Sequence, residues 1–223
     1  MSTFLDTCIE DSLPIWQDCL ETEFLRRLSD GTLPEDCFKG YIVDDSLYLR
    51  EYAKVFAWGI LHSTDMEEIR AYHSLLSFLK ESEDATRLVY LARWGLTDQA
   101  IQPLPLRPEN RAYVDYMISA ARDGQGAPEC MMACLPCMLS YGWIFQKIVQ
   151  DAPQVRDSLF WPLVRDYADP SYQEVCDHWV DFANQVCAGL TPERAAQCRE
   201  IFRQSSLHEL RFWEISAQPR NDV

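Results

Sequence analysis

Apolar residues recur every three or four positions along nearly the whole chain, the period of helices that bury one face. Leu13, Trp16, Leu20, Phe24 and Leu28 fall at that spacing and predict a helix over 4–29, stopped at Asp30-Gly31-Thr32. Pro34 suits the first turn of a second helix over 34–63. Its inner stripe holds Phe38, Tyr41, Ile42, Asp45, Tyr48, Leu49, Tyr52, Val55 and Phe56. Asp65 is a candidate cap for a helix over 66–81. Another, over 83–93, ends at Trp94-Gly95-Leu96. Pro103, Pro105 and Pro108 make 97–108 the clearest loop, and the helical pattern resumes unchanged beyond it, as in a connection within one domain. Further helices are predicted over 109–123, 128–150, 155–167, 170–188 and 192–216. Pro136 lies inside one of them, which predicts a kink and freed backbone groups near Cys137. There is no internal repeat. The expectation is a single all-α domain over 1–223, a bundle of eight or nine helices.

Composition strengthens this reading. The 223 residues include eight glycines, and 24 leucines against 11 valines and 11 isoleucines, a helix-favouring mixture. Twenty Lys and Arg against 35 Asp and Glu give a formal charge of −15, which argues against a nucleic-acid partner and a polybasic membrane anchor. No run of 18 apolar residues is present, so no membrane-spanning helix is expected. The start, Met1-Ser2-Thr3-Phe4-Leu5-Asp6, lacks the basic and apolar regions of an export signal. Nine cysteines, an odd number, then read as reduced thiols in a cytoplasmic protein.

Several chemistries are absent from the sequence. Neither GxGxxG, GxxxxGK[ST] nor GxSxG occurs. A carboxylate-bridged di-iron bundle needs Glu three residues before His. The residues at that offset from His62, His73, His178 and His208 are Gly59, Arg70, Val175 and Ser205. Cys130, Cys134 and Cys137 have ligand-like spacing but sit in one apolar segment with no second knuckle, so core packing is the better reading and no metal is expected.

What remains is a polar and aromatic set within apolar helices. Asp45 and Tyr48 share a helix face, as do Cys137 and Tyr141. Asp44 and Asp45 are adjacent and not both expected to face inward, so one is taken as solvated. Cys137, directly after a helix-breaking proline, is either a core thiol or a nucleophile. Glu209, before Phe212 and Trp213, is either a surface residue or an acid–base group with a raised pKa.

The order of these elements resembles one family. Asp45-Ser46-Leu47-Tyr48-Leu49 resembles the D-S-x-Y-L segment of the TenA/thiaminase II family. Leu135-Pro136-Cys137-Met138-Leu139-Ser140-Tyr141 resembles its L-P-C-x-x-x-Y nucleophile segment, and Glu209-Leu210-Arg211-Phe212-Trp213 its closing E-x-x-F-W. Asn110-Arg111-Ala112-Tyr113 and Asp166-Tyr167-Ala168 are similar to two further tyrosine segments. The likeness spans nearly the whole chain. Two departures are Leu47, where many relatives carry a second aromatic, and Leu207-His208, where tyrosine is common.

The resemblance implies a haem oxygenase-like helical fold, with no metal or cofactor in its chemistry. It implies hydrolysis of 4-amino-5-aminomethyl-2-methylpyrimidine, or thiamin, to the 5-hydroxymethylpyrimidine, which is returned to thiamin synthesis. It assigns Cys137 as nucleophile and Glu209 as acid and base. Asp45, Tyr48, Tyr113, Tyr141, Tyr167 and Phe212 would bind the pyrimidine, and family members are typically homotetramers. Three rivals stand beside this: a pyrimidine-binding or regulatory protein of the same fold, an oxygenase-like redox enzyme, and a helical scaffold. The presence of both Cys137 and Glu209 favours the enzyme over the first.

Overall fold

A computed structural model describes residues 2–76 and 85–223. Among them are eleven α-helices and no strand: α1 (Phe4–Leu20), α2 (Glu23–Ser29), α3 (Glu35–His62), α4 (Met66–Leu75), α5 (Ala85–Arg93), α6 (Asp98–Ile101), α7 (Pro108–Asp123), α8 (Ala127–Asp151), α9 (Trp161–Ala168), α10 (Pro170–Val186) and α11 (Pro192–Ser216). The expected all-α class holds. The parts of the 66–81 and 83–93 helices that fall at 77–84 lie outside the described residues.

Three segments differ from what the apolar pattern predicts, two of them at a threonine that caps a helix. The 4–29 segment divides at Thr22, whose hydroxyl donates to the Cys19 carbonyl (2.7 Å) and caps α2 at Leu25 N. A hydroxyl so placed satisfies the backbone groups that a break exposes. Thr97 does the same inside the expected loop, accepting from Ala100 N (3.1 Å) to start the single turn α6. The 155–167 segment becomes a 3-10 turn, Pro153–Asp157, followed by α9. By contrast α8 runs through Pro136 as one helix.

The central element is α8, which packs against α3, α7, α9, α10 and α11. It is the one described helix long and apolar enough to cross a bilayer, but most of that apolar stretch is buried within the bundle. A helix apolar on all sides is what the middle of a bundle requires. The helices α3, α7 and α11 close around it, and α11 also packs on α1.

Gly59 on α3 marks a tight approach. A Cβ there would lie 2.5 Å from the Tyr72 ring of α4, and that ring is pinned because its hydroxyl donates to Ala127 O (3.0 Å). Gly→Ala within a helix ordinarily stabilises by about 1 kcal/mol. Here overpacking against a fixed ring costs more. Gly59→Ala is therefore expected to destabilise the protein by ~2 kcal/mol, read as a lower urea midpoint; an unchanged or raised midpoint would contradict this packing.

Candidate active site

The long stripe of α3 brings Asp45, Tyr48 and Tyr52 to the centre of the bundle at intervals of three and four residues. Opposite, Cys137 and Tyr141 project from the middle of α8, one turn apart. Asp45, Tyr52, Cys137 and Tyr141, with Tyr167 from α9 and Tyr172 from α10, line a cavity of about 290 Å³. The rest of its lining is mostly apolar, from Leu49, Phe56, Leu75, Met138, Val175 and Trp179. A volume of this order suits a small heterocycle with one substituent.

Behind the cavity lies a second layer from α3, α7 and α11. Tyr113 donates its hydroxyl hydrogen bond to Glu209 Oε1 (2.7 Å). Its ring lies between Tyr48 (centroids 5.3 Å apart) and His208 (5.2 Å, rings nearly parallel at 5°). Phe212 lies 6.1 Å from Tyr48 and 5.7 Å from Tyr41. All eight residues singled out in the sequence therefore converge. Asp45, Cys137, Tyr141 and Tyr167 face the cavity, whereas Tyr48, Tyr113, Glu209 and Phe212 are not among its lining. Phe212 backs the tyrosine layer. Leu47 is core, and His208 takes the place behind Tyr113.

Burial sets the charge states. Glu209 is 1% exposed, and its pKa is pushed from 4.5 up to about 7 by desolvation and the nearby Asp45 charge, against the opposing hydrogen bond from Tyr113 and contact with Cys137. Its Oε2 has no hydrogen-bond partner among the described residues. Burial likewise raises the Cys137 thiol well above its ordinary value, and the Glu209 and Asp45 charges add to this while Tyr48 opposes it. The thiol is thus protonated beside a carboxyl poised to accept a proton. Burial also holds the Tyr48, Tyr113 and Tyr141 phenols neutral. Burial pushes His208 down to about 4, so a neutral ring backs Tyr113.

All nine cysteines are free, and Cys137 alone is not fully buried. Cys130 donates to Val55 O (3.3 Å), a packing role that agrees with its reading as a core thiol. Among the described residues no group of three or more His, Cys, Asp or Glu side chains is arranged to hold a metal ion.

Two lining residues given no role in the sequence reading steady the Cys137 turn. The Tyr52 hydroxyl donates to Cys134 O (2.9 Å) and the Tyr172 hydroxyl to Met138 O (3.1 Å), so phenols grip the backbone on both sides of Cys137. Tyr52 was signalled by its place on the Asp45 stripe. Tyr172 and Trp179 had no such signal, because only the packing of α10 across α8 brings them here.

The expectation that one of the paired aspartates is solvated is wrong. Asp44 is 0% and Asp45 7% exposed. The two side chains point about 100° apart around α3, and this helix is enclosed on both sides. Asp44 is neutralised by Arg107 and by Arg220, whose Nη1 donates to Oδ1 (2.6 Å).

A partly accessible thiol on an aromatic cavity, with a buried acid behind it, defines an all-α bundle with a candidate site for a small molecule. The chain belongs to the TENA/THI-4/PQQC family, whose model matches residues 10–218. An uncharacterized protein of Haemophilus influenzae is 29% identical over 211 residues, covering 95% of this chain and 97% of its own. An aminopyrimidine aminohydrolase of Helicobacter pylori is 26% identical over 210 residues, 94% of this chain and 96% of its own. Among solved structures, a TenA family transcription regulator from Silicibacter sp. TM1040 superposes with a TM-score of 0.85 at 21% identity, over 98% of both chains.

Proposed function

We propose that the protein is an aminopyrimidine hydrolase. It converts 4-amino-5-aminomethyl-2-methylpyrimidine and water to the 5-hydroxymethyl compound and ammonia, with thiamin as an alternative substrate that releases its thiazole. The observation that carries this reading is the partly accessible thiol on the cavity wall, in contact with a buried carboxyl behind it whose pKa lies near neutrality. The aminopyrimidine aminohydrolases among its relatives support the choice of substrate.

The steps follow from the proton positions. The Cys137 sulfur adds to the electron-poor pyrimidine carbon next to the one bearing the methylene, and its proton passes to Glu209. Asp45 hydrogen-bonds the ring nitrogen and 4-amino group, an interaction that strengthens as charge develops on the ring. Glu209 returns the proton to the leaving amine, which departs as ammonia and leaves an exocyclic methylene. Water adds to that methylene and gives a proton to Glu209. Loss of the Cys137 sulfur, which takes that proton back from Glu209, restores the aromatic ring and the starting thiol. Tyr48, Tyr113, Tyr141 and Tyr167 shape the pocket, and Phe212 holds the aromatic layer against which the ring rests. In this reading the enzyme works in thiamin salvage, in the cytoplasm, as a homotetramer without a cofactor.

The test is a steady-state comparison of the aminomethylpyrimidine and thiamin. Ammonia release from the former, with the higher kcat/KM, is expected. Binding of the hydroxymethylpyrimidine with no turnover of either compound would overturn the enzyme reading in favour of a binding or regulatory protein.

A further inference from the structure

The segment after α11 is built into the support of the site. Arg220, three residues before Val223, has a side chain that is 2% exposed. It donates to Asp44 Oδ1 (2.6 Å), to Pro105 O (2.9 Å) and, from Nε and Nη2, to Asp222 (2.8 Å each). The second oxygen of Asp44 is held by Arg107, through Nε (2.6 Å) and Nη2. Arg107 stands immediately before α7, and its side chain also donates to Ile215 O in the last turn of α11 and to Gln218 O just beyond it (3.0 Å each). One buried carboxylate therefore joins α3, α7, α11 and the terminal segment. The contact is close: a Cβ on Gly40 of α3 would lie 3.1 Å from the backbone nitrogen of Arg220.

These are the three helices that carry Asp45 and Tyr48, Tyr113, and Glu209 and Phe212. Asp44 is the immediate neighbour of Asp45, so its grip also fixes the rotation of α3 that aims Asp45 into the cavity. A buried ion pair is a weak source of net stability, because desolvation offsets the attraction. Its geometric effect is stronger: without Arg220, Asp44 Oδ1 loses its donor while Arg107 holds only the other oxygen, so the carboxylate is free to turn toward Arg107. We infer that Arg220 is a positioning residue for the site: acting through Asp44, the C-terminal segment sets the placement of Asp45 against Cys137 and Glu209. This rests on the proposed chemistry only for the meaning of the site, not for the placement itself.

The test uses the nine free thiols as reporters. Iodoacetamide labelling of the full-length protein, read cysteine by cysteine by mass spectrometry, needs no pyrimidine. In Arg220→Ala the rate at Cys137 is expected to rise at least fivefold with the other eight unchanged, and Arg220→Lys should return it to within twofold. Should Arg220→Ala fail to fold, Arg220→Gln, which keeps a donor for Pro105 O, serves in its place. With the aminomethylpyrimidine, the same variant should lower kcat/KM at least tenfold through both a higher KM and a lower kcat, because Asp45 contacts the ring in the ground state and more strongly as charge develops. A uniform rise at all nine thiols would mean general loosening, and no change at Cys137 would mean independence; either overturns the inference. Absence of pyrimidine turnover in the unmodified protein would count against the proposed function alone, since the labelling still decides the role of Arg220.

Discussion

Cys137→Ser is expected to abolish release of ammonia from the aminomethylpyrimidine while leaving pyrimidine binding within about threefold. Serine is nearly the same size as cysteine, so the cavity, the Tyr52 and Tyr172 grips on the backbone and the Asp45 carboxylate all remain. What is lost is the nucleophile. The thiol starts protonated, held so by burial and by Glu209, and in the proposed mechanism Glu209 takes its proton during attack. An alcohol is a far weaker acid, and Glu209 cannot do the same for it. The loss should be at least ~10³-fold in kcat, or about 4 kcal/mol of barrier. Isothermal titration with the hydroxymethylpyrimidine measures binding independently. Turnover within tenfold of the unmodified protein would remove Cys137 from the mechanism.

Glu209→Gln should act in opposite directions on activity and stability. Glutamine cannot carry a proton between thiol, amine and water, so kcat should fall by about 10²–10⁴-fold, the usual worth of acid–base help. The unmodified enzyme needs ionised Glu209 to accept the thiol proton, so its kcat/KM should rise with pH through an apparent pKa of about 7. The Gln variant should lack that limb.

Stability runs the other way. Because the folded-state pKa lies above the ordinary 4.5, the folded protein binds more protons than the unfolded chain between 4.5 and about 7. Folding stability contributed by the neutral acid is therefore fully present below 4.5 and is lost as pH rises through 7. The gap corresponds to ~3 kcal/mol. Glutamine does not ionise, so the variant should gain about that much relative to the unmodified protein between pH 4.5 and pH 8, read from urea unfolding at both ends. A constant difference across that range would show that Glu209 titrates normally.

The amino-acid sequence by itself determined the class of fold and which of the candidate residues share a helix face. Few glycines and a three-four apolar repeat leave helices as the main way to bury so much leucine and aromatic surface, and α11 spans 192–216 as that repeat predicts. The same periodicity put Asp45 with Tyr48, and Cys137 with Tyr141, on common faces, because side-chain direction along a helix is a local property. The helix break at Thr22 was missed because one capping hydroxyl outweighs an apolar pattern that continues across it, and the helical turn started by Thr97 was missed because the prolines beyond it read as loop.

Tertiary structure alone decided the rest. That Tyr172 and Trp179 reach the cavity depends on α10 crossing α8, and no spacing within α10 encodes that. That Asp44 turns inward depends on Arg220, 176 residues away in sequence, supplying its counter-charge. The near-neutral pKa of Glu209 is likewise collective. It comes from the helices that close over one carboxyl and from the charge of Asp45 on α3, so the residue's identity is written in the chain but its acidity exists only in the assembled bundle.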